Sequence, residues 1–368
     1  MDTLTHALLG GLAVRASLPR TDRFTAVPSG TATWIGVLVA AFPDIDYLSF
    51  WIDPLRFLAE WHRGPTHSLL MAPLWALLLG TFFTLLLHRP RAWLYLVGIC
   101  LLALASHIAS DLITAYGTQI LWPLSDIRLA FGTTFVIDPW FSALVGGGLL
   151  VSLRLSRPAT GARIGLLALA GYLGLQLILQ QQTKSLGEAF AHKQGLTSSS
   201  VHALPQPFSP FNWSIIVSDG QSHHVGLVNL AYSPGSVRLA ENMGWPRRLW
   251  AAYQPADDLL WESHDRYGKS PEQQALAQEV WQQATFARFR HFAQFPVLYR
   301  IDRHVEEVCV WYTDLRYVLP GLIPPFRYGM CGTGTGTGWQ LYRLRRFTHG
   351  ERHSLGDADA KEVQQRSQ

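Results

Sequence analysis

The sequence is short of charge. Only 15% of its residues are charged against 48% hydrophobic, and the mean hydropathy is +0.11; a soluble domain usually carries about 25% charge. Cysteine is scarce as well: there are three, and no two form a CxxC pair, so no paired-cysteine metal or redox motif is present. The first residues, MDTLTHALLGG, lack a basic stretch, which argues against a cleavable signal peptide and for retention of the apolar runs. The net charge of +4 comes partly from short loops and gives no footprint of a nucleic-acid partner. No HExxH helix occurs. The run 332-GTGTGTG-338 lacks a strand–helix context and a phosphate-loop lysine, so it reads as a flexible turn or linker rather than a nucleotide motif.

What is present is unevenly placed. The 368 residues suggest more than one structural unit. Residues 1–182 hold nearly all the long apolar runs, and residues 183–348 read as a water-soluble stretch. The polar tail 349–368 has the composition of a disordered segment. A bilayer needs about 20 apolar residues per helical span, and by that measure about six membrane-embedded segments are expected. They are 4–16, which is short, then 31–50, 68–87, 92–115, 134–153 and 163–180.

The loops give a side to each end. Arg15, Arg20 and Arg23 follow the first segment, Arg89 and Arg91 the third, and Arg154, Arg157 and Arg163 the fifth. Positive residues in short loops stay cytoplasmic. The loops 43–67 and 116–134 then lie on the outer side, as does the C-terminal half. In that half, 213–219, 225–232, 297–303 and 308–318 alternate as strands, and 271–293 reads as a helix opened by Pro271. The expected fold class is therefore an α-helical integral membrane bundle followed by a small α+β extramembrane domain. Cys100 reads as core. Cys309 and Cys331 would form a disulfide if their half lies outside the cytoplasm. His223, His224 and 264-HDR-266 read as solvated loop.

The ionisable residues beside the apolar runs carry the chemistry. His6 opens the first segment, Asp44 and Asp46 close the second, and His62, Arg63 and His67 open the third. His107 and Asp111 lie near the end of the fourth, four apart and so on one helix face. Asp138 starts the fifth. The topology, read from arginines alone, puts all of these histidines and aspartates on the outer side. Buried ionisable groups are costly in a membrane and face an interior or a polar cavity. Each also has a plain reading: Asp44 as a helix cap, His107 as a core histidine, His62 and Arg63 as interfacial anchors, Asp138 before Pro139 as a turn residue. Together, imidazole and carboxylate suit zinc, with iron, nickel and manganese as alternatives. About seven candidate ligands exceed the four of one closed zinc shell, so two ions are expected. Arg63, behind the Gly64-Pro65 corner, and Arg128 are candidates to hold a phosphate.

The motifs 5-THALLG-10, 43-PDID-46, 62-HRGPTHS-68, 107-HIASD-111 with 116-YGT-118 and 121-LWPLS-125, and 137-IDP-139 resemble the YdjM-type family of membrane-bound metal-dependent hydrolases. The resemblance covers residues 1 to about 180 and implies an integral inner-membrane protein using a divalent metal. A weaker likeness is to zinc-dependent phospholipase C and the single-strand nucleases, by which Asp44, His67, His107 and Asp111 would be ligands and His6 an early histidine ligand. The N-terminal tryptophan and later ligands of that pattern are missing.

The expected function is hydrolysis of a phosphoester in a lipid-like or lipid-linked substrate at the periplasmic face of a bacterial inner membrane, by metal-activated water. The expected metal ligands are His6, Asp44, His67, His107, Asp111 and Asp138. Asp46, His62 and Arg63 are expected to be catalytic, and Arg63 and Arg128 to bind substrate. A metal-dependent amidase or peptidase, a transporter and a non-catalytic metal-binding protein are the rival readings.

Overall fold

A computed structural model describes residues 1–18, 27–233, 250–305, 307–333, 338–346 and 348–355. Arg20 and Arg23, the middle of the glycine–threonine run and most of the polar tail lie outside the described residues. The chain divides into two compact units. The first comprises Met1–Ile52, Glu60–Gln180 and Pro205–Pro210; the second comprises Asp53–Ala59, Gln181–Leu204 and Phe211–Gln368.

The first unit is helical. It contains α1 (Thr3–Ser17), α2 (Ser29–Ala41), α3 (Ala72–Leu86), α4 (Trp93–Leu112), α5 (Pro139–Arg154) and the start of α6 (Pro158–Lys193). Helix α1 packs against α2, α4 and α5. Its buried face includes Leu9, Leu12 and Val14, while the outer helices turn Leu85, Leu94 and Leu167 outward. Apolar side chains on the outside suit a lipid solvent rather than water. Closest approach falls at Gly10. A Cβ there would come within 2.2 Å of the Ala40 Cβ and 2.6 Å of the Gly36 carbonyl oxygen. Small residues at such crossings let helix backbones meet, and this one brings the start of α1 against the end of α2.

The expectation of six spans is met only in part. Among the described residues, two helices, Pro90–Leu112 and Pro158–Lys193, are long and apolar enough to cross a membrane, or three if the bent pair Pro54–His67 and Ala72–Leu86 is one span. Helices α1, α2 and α5 have 15, 13 and 16 residues. At 1.5 Å per residue they reach about 20–24 Å, short of the ~30 Å hydrocarbon core. The second expected segment shortens because α2 yields at Phe42 to a 3-10 helix, Phe42–Trp51, with Pro43 at its start. The last lengthens, since α6 runs on to Lys193.

The second unit holds two sheets. β1 (Ser200–Pro205), β2 (Asn212–Ser218), β3 (Ser222–Asn229) and β4 (Trp261–Asp265) form one; β5 (Pro296–Arg303), β6 (Val308–Asp314), β7 (Tyr328–Gly332), β8 (Gln340–Leu344) and β9 (Arg352–Ser354) form the other in sequential antiparallel order. Strand β2 is buried along its whole length. The expected helix 271–293 splits into α7 (Pro271–Gln282) and α8 (Ala287–Phe292). Ser270 and Gln273 close a capping box at its start. Gln283 turns extended and ends α7, and Phe286 and Phe289 then enter the core. Cys309 and Cys331, opposed in the β6–β7 register, form a disulfide. His223 and His264 are not in loops: they face each other across β3 and β4, and His223 is buried.

Candidate metal centre

Four elements of the first unit deliver side chains to one point. Helix α1 brings His6, one turn from its Asp2 cap. The 3-10 helix after α2 brings Asp44 and Asp46. A second 3-10 turn, Pro65–His67, brings His67. Helix α4 brings His107 and Asp111. His6, His67, His107 and Asp111 are buried. Among the described residues of the first unit, two groups could each hold an ion: His6 with His107 and Asp111, and Asp44 with His67 and His107, the ligand atoms of each lying within 4.8 Å of one another. His107 belongs to both.

The distances define a shared centre. His6 Nε2 is 3.1 Å from Asp111 Oδ1, His67 Nε2 is 3.3 Å from Asp111 Oδ2, and His107 Nε2 is 3.4 Å from the same Oδ2. Asp44 Oδ1 is 3.7 Å from His67 Nε2 and 3.9 Å from His107 Nε2. The imidazoles of His6 and His107 stack with centroids 3.7 Å apart.

The outer nitrogen of each ring is already engaged. His107 Nδ1 lies 2.6 Å from the Ala40 carbonyl, to which it donates, so its Nε2 carries a lone pair. His6 Nδ1 is 2.9 Å from Ser110 Oγ, and His67 Nδ1 is 3.0 Å from Thr66 Oγ1. The three inward Nε2 atoms and Asp111 Oδ2 are buried without a hydrogen-bond partner. Burying such atoms unsatisfied costs about 1–3 kcal/mol each. Four of them converging is the arrangement a cation would satisfy, and outer-nitrogen contacts that fix ring and tautomer are the usual support of histidine ligands. The donor set therefore fits a divalent metal.

Asp46, His62 and Arg63 stand behind this centre. Asp46 Oδ2 is 3.2 Å from His62 Nδ1, accepts from the Arg63 backbone N–H at 3.0 Å, and lies 3.5 Å from His67 Nδ1. The His62 ring leans on Tyr47 and Tyr116. Arg63 has a positive φ of 56°. Its main chain is pinned from both sides, because its carbonyl accepts from the Gln119 N–H at 2.9 Å. The Gly64-Pro65 corner is thus held, not loose: a Cβ on Gly64 would sit 3.0 Å from both the Gln119 Oε1 and the Trp61 carbonyl oxygen.

Three expectations change here. Arg63 is expected to face substrate, yet its guanidinium is buried, bonded to Asp111 Oδ1 at 2.8 Å and to Thr114 Oγ1 at 2.6 Å. The amino group of Met1 contacts the same Oδ1. Arg63 neutralises the Asp111 carboxylate. Arg128 is expected to grip phosphate, but it donates to the His62 carbonyl at 2.9 Å and its guanidinium lies over the Tyr116 ring. Asp138 is expected as a ligand, but it caps α5: Oδ1 accepts from the Trp140 and Phe141 N–H groups at 2.9 and 3.0 Å, and Oδ2 accepts from Tyr172 Oη at 2.6 Å. It is a helix cap, where its plain reading is a turn residue before Pro139.

The supporting hydroxyls and the Ala40 carbonyl were not singled out in the sequence. Thr3 Oγ1, which donates to Asp44 Oδ2 at 2.5 Å, belongs with them. Their signal is weak but present: Thr66 adjoins His67, and Ser110 lies between His107 and Asp111. A search for a partner to each histidine's second nitrogen finds them.

Comparison with known proteins converges on the same part of the chain. The family described as YdjM inner membrane protein matches residues 1–183. An uncharacterized protein of Bacillus subtilis, YfhP, is 27% identical over 231 residues, 61% of this chain and 68% of its own. The inner membrane protein YdjM of Escherichia coli is 36% identical over 117 residues, 29% of this chain and 53% of its own, so the chain spans about half of that relative. The Shigella flexneri YdjM matches to the same extent. No solved structure matches.

Proposed function

Because residues 1–183 belong to the YdjM inner membrane protein family, we propose that the buried histidine–aspartate cluster is the metal centre of a membrane-bound hydrolase. It cleaves a phosphoester in a lipid-like substrate at the outer face of the inner membrane. The observation that carries this reading is the set of four buried atoms, His6, His67 and His107 Nε2 with Asp111 Oδ2, aimed at one another without hydrogen-bond partners.

His6, His67, His107, Asp44 and Asp111 hold the metal, with zinc first and manganese or iron as alternatives. The two groups share His107, whose one free lone pair on Nε2 ligates a single ion, so a second ion would need Asp44 or Asp111 as a carboxylate bridge. A divalent ion there supplies Lewis acidity toward a phosphoryl oxygen and lowers the pKa of water. The chain does the rest. Asp46 holds His62 through Nδ1, and this imidazole takes a proton from the nucleophile and returns it to the leaving oxygen. Arg63 balances the charge of Asp111 and keeps that carboxylate in place. A closed structural site has no use for such a dyad, which favours catalysis over a purely structural metal.

The outer-face placement rests on Arg89, Arg91, Arg154, Arg157 and Arg163 as cytoplasmic charges. The Cys309–Cys331 disulfide supports it, since such bonds persist in oxidising compartments. The test is an untargeted lipid comparison of cells carrying wild-type protein, His67→Ala or no protein. Accumulation of one phospholipid or lipid-linked class in the last two supports the reading. Unchanged lipids, with an envelope peptide accumulating instead, replace it with an amidase.

A further inference from the structure

The 3-10 helix that carries Asp44 and Asp46 has a second face. Such a helix has three residues per turn, so positions three apart eclipse. Ile45, Leu48 and Trp51 are so spaced, and they are 51%, 66% and 84% exposed. They form an apolar ridge on the segment whose aspartates turn to the metal centre. The neighbouring loop, 116–134, does the same: Leu124, Ile127 and Phe131 are strongly exposed. That loop is tied to the site by the Gln119 N–H to the Arg63 carbonyl and by Ser68 Oγ to the Trp122 carbonyl.

Loops that expose large apolar side chains are unusual in water, where connections are polar. Irregular backbone facing lipid is equally excluded from the hydrocarbon core, where its polar groups find no partner. One depth satisfies both limits: the boundary, where apolar side chains dip into acyl chains and the backbone stays within reach of headgroups and water. Aromatic residues favour that level. The apolar outer surfaces of the adjoining helices continue into the same layer.

We propose that the Ile45–Leu48–Trp51 ridge is buried in the acyl-chain edge of the bilayer and fixes the metal centre at headgroup depth. Asp44 precedes Ile45, and one residue of 3-10 helix rises about 2 Å. The metal ligands then lie a few ångströms from the hydrocarbon edge, level with a lipid's phosphate. The ridge depth stands on its own geometry; the step to a headgroup phosphoester, entering sideways from the bilayer, rests on the hydrolase reading.

The experiment reads depth without activity. Leu48→Cys, in full-length protein carrying Cys100→Ser, is labelled with an environment-sensitive fluorophore and reconstituted into phosphatidylethanolamine–phosphatidylglycerol vesicles. The expected result is a blue-shifted emission quenched by lipids spin-labelled near the glycerol end of the acyl chain, with little quenching by aqueous iodide. Glu272→Cys, in an exposed helix, should respond in the opposite sense. Strong iodide quenching at position 48 overturns the proposal. Lack of quenching by either reagent also overturns it, because the ridge is then covered by protein. Ile45→Cys repeats the reading on the same face should the first variant fold poorly. Metal content, measured on the same samples, keeps failure of the depth proposal separate from failure of the metal centre.

Discussion

His67 Nε2 and Asp111 Oδ2 face each other at 3.3 Å from a 3-10 turn and a helix far apart in sequence, both buried, and without the alignment of a hydrogen bond. Two polar atoms so placed are costly alone and favourable around a cation.

The support of the ligands is testable apart from the ligands. Ser110→Ala removes the hydroxyl at 2.9 Å from His6 Nδ1. Loss of such an outer contact lowers metal affinity by roughly 10–100-fold. A competition titration against a chelator checks this, and unchanged affinity would mean that His6 is not a ligand.

Asp138 separates ligand from cap. Asp138→Ala should destabilise α5 by about 0.5–2 kcal/mol and leave metal content unchanged, whereas Asp138→Asn should retain most of the stability. Thermal unfolding and metal analysis on the same preparations give both readouts.

The helix crossing at Gly10 makes a prediction with a sign. Gly10→Ala forces a methyl into the Ala40 Cβ and Gly36 carbonyl. Overpacking of this kind costs about 1–3 kcal/mol, and here it also moves His6. Gly146→Ala meets nothing within 4 Å, so helix propensity favours it by up to about 1 kcal/mol. Opposite shifts in melting temperature are expected.

Much of this was readable from sequence. The apolar runs marked where most helices of the first unit lie, and the ionisable residues beside their ends marked the candidate ligands. The structure gathers His6, Asp44, His67, His107 and Asp111 into one cluster. Asp138 and the arginines were not readable because a carboxylate before proline and a guanidinium near a site have the same sequence signature whether they cap, neutralise or bind. Their partners, Tyr172, Thr114 and the His62 carbonyl, are distant in the chain. The His223–His264 pairing was missed because β4 has too few alternating residues to show as a strand.

That pairing carries a pH dependence. Burial, with Arg266 nearby, pushes His223 down to about 4. Asp314, Asp219 and the Pro296 carbonyl oppose the shift, and the Phe295 ring packs edge-on. Between the ordinary value of about 6.5 and about 4, the unfolded chain binds a proton that the folded one does not. This contribution to stability is therefore complete above that window and is lost as pH falls through it, with a slope of up to about 1.4 kcal/mol per pH unit. Urea unfolding across this range should show a shallower slope for His223→Gln than for wild type. Equal slopes would show that His223 does not contribute.

The most direct measurement is the transition-metal content of purified full-length protein and of His67→Ala and His107→Ala, each confirmed as folded by circular dichroism. One or two equivalents of a divalent metal in the wild type, falling several-fold in both variants, are predicted. A wild-type protein with no stoichiometric metal, or variants that keep all of it, would contradict the metal centre.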